Sequence, residues 1–234
     1  MGNNKVCVVA GVGSGNGSAL ARRFAQEGYA VAMLARTTTT TAPLAAELPR
    51  ARAYACDVTD SASVAATFAA IAAELGPVTT LVYNAALAAW GNIADTDLAA
   101  FQASFQVSAL GLLLATRCVA PSMQAAGGGN IVVIGSPASR RGAAGSVAFA
   151  AAKAAQRGLT ESIARELWPK QIHVALLVVD GVLDLPGARS RMPDKPDAFF
   201  IAAEAVAERV VHLAQQPRSA WSFEVEARPF GAAW

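Results

Sequence analysis

Val8-Val9-Ala10-Gly11-Val12-Gly13-Ser14-Gly15-Asn16-Gly17-Ser18-Ala19-Leu20-Ala21 is the stretch that decides the fold. An apolar run stops at a cluster of glycines, and beyond it small and apolar residues recur at helical spacing. Glycine permits a sharp turn and a close backbone approach to a ligand, because it carries no Cβ. The first turn of the following helix has free N–H groups and the positive end of the helix dipole, both of which favour a phosphate. Strand, glycine loop and helix in this order predict a nucleotide-binding unit with Gly11, Gly13, Ser14, Gly15, Asn16 and Gly17 around a pyrophosphate. The competing reading of the same residues is a flexible surface turn.

The rest of the chain repeats the alternation. Apolar runs at 6–10, 30–35, 51–56, 80–84, 131–135, 173–179 and 223–226 alternate with helical stretches at 18–27, 42–48, 61–75, 98–124, 147–168 and 203–215. The runs are continuously apolar, as in strands covered on both faces. The prediction is an α/β protein: one doubly wound parallel sheet of about seven strands, helices on both faces, a single domain over 1–234. Gly76-Pro77, Gly127-Gly128-Gly129-Asn130 and Pro169 punctuate the elements. The Pro-rich segment 185–200 is expected to form a mobile lid, and Thr37–Thr41 a polar loop.

Composition limits the function classes. Of 234 residues, 54% are hydrophobic and 15% charged, with formal net charge +2 and no basic run. That leaves no electrostatic footprint for nucleic acid or an anionic membrane. The hydropathy comes from scattered Ala, so no membrane-spanning helix is expected. Met1–Lys5 runs straight into a strand with no cleavage-site pattern, so no export signal is expected. The odd trio Cys7, Cys56 and Cys118 lacks metal-type spacing and reads as buried reduced thiols in a cytoplasmic protein.

The end of the second strand, where a dinucleotide site usually presents an acid to the ribose, reads Ala35-Arg36-Thr37. Arg36 offers a planar charged fork suited to a 2′-phosphate, with Thr37 adding a hydroxyl, so NADP(H) is expected over NAD(H). The alternative is a solvated arginine at a strand end. After the third strand, Asp57 is placed to accept from an adenine amino group, with Val58 beside it, and Asp60 to cap the next helix.

These features resemble the short-chain dehydrogenase/reductase family over nearly the whole length. The match rests on Gly11-x-x-x-Gly15-x-Gly17, Asp57-Val58-Thr59, Asn84-Ala85, Ile131-Val132-Val133-Ile134-Gly135-Ser136 and Lys153. The resemblance implies a single Rossmann-type domain, a nicotinamide cofactor, hydride transfer on a small carbonyl or alcohol, and a homodimer or homotetramer. It also implies an Asn-Ser-Tyr-Lys tetrad. Lys153 and Ser136 match it, but Phe149 stands at the tyrosine and Ser108 at the asparagine. Reduction of a carbonyl builds negative charge on oxygen that a positioned acid must neutralise. Phe149 has no proton to give.

Among other candidates for that proton, Tyr83 lies at a carboxyl end of the sheet. Asp180-Gly181 replaces the family's Pro-Gly, which would place Asp180 near the nicotinamide; a turn-forming aspartate is the plainer alternative. Arg140 and Arg141 read as solvated. Two functions follow: an atypical NADP(H)-dependent oxidoreductase, or a non-catalytic NADP(H)-binding sensor or scaffold favoured by Phe149 and Ser108.

Overall fold

The computed structural model describes residues 5–232. The first four residues, read above for an export signal, lie outside that range. The elements are β1 (Val6–Ala10), α1 (Asn16–Gln26), β2 (Ala30–Ala35), α2 (Thr41–Glu47), β3 (Ala51–Ala55), α3 (Ser61–Glu74) and β4 (Thr80–Tyr83). They continue as α4 (Leu98–Phe105), α5 (Gly111–Ala125), β5 (Gly129–Gly135), α6 (Val147–Leu167) and β6 (Ile172–Val179). The last are β7 (Val182–Leu183), α7 (Pro186–Arg191), β8 (Phe200–Ile201), α8 (Ala203–Ala214) and β9 (Glu224–Ala227).

Seven strands form one sheet in the order β3-β2-β1-β4-β5-β6-β9, every neighbouring pair parallel. The expected doubly wound sheet is thus present, with boundaries shifted by a residue or two. Alternate residues of a strand point to opposite faces. In β1, Val6, Val8 and Ala10 join the core under α3, α5 and α6, while Cys7 and Val9 join the core under α1, α2 and α8. The strand order reverses between β1 and β4, and outside their carboxyl ends a crevice opens.

Two expectations need correction, and a third segment has more secondary structure than its proline content suggests. The helix read as continuous over 98–124 is broken by a π-helical turn at Gln106–Leu110. The segment 185–200 is organised: α7 follows β7, and β7 pairs with β8 in a separate two-stranded ribbon. Arg189 there is held by Asp184 at 2.6 Å and Asp197 at 2.6 Å. Finally, the helical run Leu98–Ala125 does meet the length and composition expected of a membrane span, contrary to the composition argument. In the fold it is a layer helix, with Leu112, Ala115, Val119 and Met123 buried against the sheet.

Asp60 caps α3 as expected, accepting from the N–H groups of Ala62 and Ser63 at 3.1 Å each. At the β9 edge the two arginines are exposed, as read, and are also paired. Arg140 bonds Glu224 and, at 2.7 Å, Glu226, and Arg141 reaches Asp180 at 2.7 Å. The charges of an edge strand are thereby neutralised by the α6 side of the sheet.

Candidate functional site

The glycine loop is shaped by what surrounds it. Gly11 has φ +90°, and a Cβ there would sit 2.5 Å from the Ala85 backbone. At Gly17 a Cβ would sit 2.6 Å from the Gly11 carbonyl oxygen and the Val12 Cα. Both positions require glycine for packing alone. Asn84, at the end of β4, locks the loop from the side: its Nδ2 donates to the Gly11 carbonyl at 2.7 Å and its Oδ1 accepts from Asn16 Nδ2 at 2.7 Å. The sequence reading placed Asn84 next to this loop but not its bond to Asn16.

Above the loop lies a cleft of about 640 Å³. Gly11, Gly13, Gly15, Asn16 and Gly17 line one end, Arg36, Thr37, Asp57 and Val58 the other, with Asn84 and Ala85 between. Ser14 lies outside this lining, in a neighbouring shallower depression. Asp57 Oδ1 accepts from the Thr59 N–H and hydroxyl at 2.9 and 2.7 Å, which holds its carboxyl below the usual range, helped by the Arg36 charge. Leu185 leans over the loop, 3.0 Å from where a Gly15 Cβ would be.

At the carboxyl end of β5 stands a second cluster. Lys153 is 4% exposed; its Nζ donates to the Ile134 carbonyl at 3.0 Å and to Gln156 Oε1 at 2.8 Å. Desolvation lowers its pKa from 10.5 to about 8. Lys153 is therefore buried, where a helix lysine is more often solvated. Gln156, itself 1% exposed, donates from Nε2 to the Ser108 carbonyl at 3.1 Å. One buried amide thus ties the ammonium to the π-helical turn. Its signal in the sequence was a polar residue three places after Lys153, on a helix otherwise rich in alanine.

Ser108 is buried and its hydroxyl has no hydrogen-bond partner. Ser136 accepts from the Ala138 N–H at 3.3 Å as the cap of a short 3-10 turn. Phe149 is half-buried, 5.9 Å from Lys153 Nζ to its ring centroid and 5.2 Å from the ring of Trp90. Trp90 was missed by the sequence reading, since its partner is distant in the chain.

Two residues read from the sequence as candidate proton donors are otherwise engaged. Tyr83 is fully buried, its hydroxyl donates to the Val107 carbonyl, and burial drives its pKa well above the usual range. Asp180 lies outside the cleft lining and is clamped between Arg141 at 2.7 Å and Arg228 at 2.9 Å. Gly181 belongs to the same corner, where a Cβ would meet the Pro229 ring at 2.7 Å. Both stand outside the residues that line the cleft, as do Ser136, Phe149 and Lys153.

The cleft fits a dinucleotide. Backbone fills the places of two missing Cβ atoms, no side chain caps α1, Asn16 Oδ1 is buried without a full set of partners, and a guanidinium stands at the far lip. With the lysine at the end of β5, this is a nucleotide-binding α/β protein of the oxidoreductase class. The short chain dehydrogenase family model matches residues 5–191, and the chain belongs to that family. It is 32% identical over 211 residues to the D-xylose 1-dehydrogenase of Caulobacter vibrioides, covering 88% of this chain and 83% of that one. Among solved structures, a short-chain dehydrogenase from Rhodopseudomonas palustris superposes with TM-score 0.83 at 33% identity, covering 97% and 100% of the two chains. A metagenomic short-chain oxidoreductase in complex with NADP gives TM-score 0.83 at 29% identity, covering 96% of each.

Proposed function

We propose that the chain is an NADP(H)-dependent oxidoreductase acting on a small carbonyl or alcohol, with an altered proton-donor position. The observation that carries it is Lys153, an ammonium buried at the end of β5 and aimed by two acceptors. Burying a charge is costly, and a site of reaction is a common reason for tolerating it. Two of the three ammonium protons are committed, which leaves one for a ribose hydroxyl or a substrate oxygen.

The loop Gly11–Gly17 and the first turn of α1 would hold the pyrophosphate, Asp57 the adenine and Arg36 with Thr37 the 2′-phosphate. When bound, the nicotinamide supplies or accepts a hydride. Ser136 is the hydroxyl that orients the substrate oxygen, and Lys153 supplies fixed positive charge. Phe149 takes the place of the general acid and Ser108 that of the asparagine beside Lys153. The whole chain acts as one domain, with 185–200 as its substrate-side lid. A relative named for D-xylose oxidation and a neighbour solved with NADP support this assignment. Three free cysteines suit a reducing, cytoplasmic setting.

Fluorescence titration with NADPH and NADH tests the cofactor half. Arg36 is exposed, so its contact is weighted at the low end for a charged hydrogen bond, about 1.5 kcal/mol or roughly tenfold in favour of NADPH. The Arg36→Asp variant should reverse the order; equal constants in the native protein would remove the argument. Turnover with a panel of carbonyls tests the other half. Tight NADPH binding without any turnover would make the protein a binding module instead.

A further inference from the structure

Phe149 and Trp90 together point to the kind of substrate. We propose that the hydride acceptor is a planar conjugated dicarbonyl of the quinone class, stacked on Trp90 beside Phe149. This rests on the oxidoreductase reading above and narrows it.

The first support is the chemistry of the missing acid. A hydride delivered to an isolated ketone leaves an alkoxide about as basic as hydroxide, whose conjugate acid has a pKa of about 15.7. Hydride delivered instead to one oxygen of a quinone forms an O–H bond, breaks that C=O π bond and aromatises the ring, leaving the electron pair on the other oxygen as a phenolate with a pKa of about 10. The roughly six-unit difference is about a millionfold in basicity, so the second reaction proceeds without a positioned acid. Two electrons and one proton pass together, as hydride, from the dihydronicotinamide to that quinone oxygen. The resulting hydroquinone monoanion takes its proton from water. No other group is consumed.

The site matches that requirement. Phe149 presents a ring where a phenol is expected, and Tyr83 is sealed in the core. Asp180 is neutralised by two guanidiniums, and Ser136 is a poor acid already capping a turn. Lys153, with two protons tied to buried acceptors, is suited to hold the monoanion by charge.

The second support is the aromatic platform. Trp90 is 68% exposed, on a segment whose backbone is anchored on both sides of it. The Gly91 N–H donates to the Gly145 carbonyl at 2.9 Å, latching the segment to the start of α6. Ser104 donates to the Leu87 carbonyl at 2.8 Å, holding it from below. The Trp90 ring leans on Phe149 at 44° and leaves its remaining surface to solvent. An exposed indole joined to a second ring fits a flat apolar ligand, because offset and tilted aromatic contacts add specific attraction to burial.

The experiment uses the full chain in anaerobic buffer. NADPH binding is measured first; absence of binding would defeat the oxidoreductase reading and this proposal with it. Without cofactor, 1,4-naphthoquinone should quench tryptophan fluorescence saturably, and Trp90→Ala should lose that component while Trp90→Phe keeps quinone affinity within a few fold. With NADPH, kcat/KM for the naphthoquinone should exceed that for cyclohexanone by at least about a hundredfold, the lower range of general acid catalysis. Phe149→Tyr should raise cyclohexanone reduction by at least the same factor and quinone reduction by far less; an equal gain on both substrates overturns the proposal. If NADPH binds but the quinone is not reduced, or if cyclohexanone or an aldose reacts as well as the quinone, the proposal is overturned. Quenching that survives Trp90→Ala overturns it as well.

Discussion

At the scale of single residues, Lys153 and Gln156 make a buried hydrogen-bonded pair at the candidate site. The lysine is an ammonium whose pKa falls from 10.5 to about 8 through desolvation, so the charged form is disfavoured in the fold relative to the unfolded chain. Below pH 8 this burial costs stability in full; between pH 8 and about 10.5 the cost is relieved, by up to about 3 kcal/mol. Urea unfolding across that window should therefore show a stability rise that Lys153→Met abolishes. Gln156→Leu removes the acceptor of Lys153 Nζ and the donor to the Ser108 carbonyl. Leaving those two buried groups unpaired should cost about 1–3 kcal/mol and lower the lysine pKa further. A normal urea midpoint and an unmoved pH profile in Gln156→Leu would show that the bridge is not formed in solution.

At the scale of elements, the join between β1 and α1 is the least tolerant part of the chain. Gly17→Ala would place a Cβ 2.6 Å from the Gly11 carbonyl oxygen and the Val12 Cα, both backbone atoms that cannot swing aside. The loop must open, which separates the N–H groups that would face a pyrophosphate. We expect NADPH affinity to fall at least about tenfold while circular dichroism stays near native; unchanged affinity by titration would show that the loop is not the phosphate cradle. The π-helical turn at Gln106–Leu110 does comparable work in register. Leu98 and Phe105 are exposed and seven residues apart, and across the π turn Leu110 and Leu113 are exposed as well. One extra residue accommodated in the π turn keeps both faces aligned, so Leu112 enters the core and Leu113 stays outside.

At the scale of the whole molecule, that outer face sets an expectation about assembly. Leu98 at 75% exposure and Phe105 at 45% stand on α4, which packs beside α6. An apolar stripe along paired helices is a surface that a second copy can cover. The protein should therefore run as a dimer or larger by light scattering at micromolar concentration. The double variant Phe105→Glu, Leu113→Glu should be monomeric and still folded, since neither side chain belongs to the core. A monomer mass for the native chain would end the proposal.

The sheet was legible in the sequence because its strands are continuously apolar and closed by Gly, Pro or Asn, signals that act within a few residues. The glycine loop, Asn84, Asp57 and Lys153 were legible for the same reason, since each follows a strand end or sits at a fixed helical spacing. What depended on elements distant in the chain was not. Phe149 meets Trp90, and Gln156 meets Ser108, only after α6 packs beside α4 and the π turn. Asp180 looked free to face the cleft until Arg141 and Arg228 arrived from other segments to claim it. The sequence by itself determined which residues stand at each strand end and so line the cleft proposed to hold a nucleotide. The tertiary structure decided which side chains are spent on one another there, because pairing energies are set by distances the chain acquires only when its layers close.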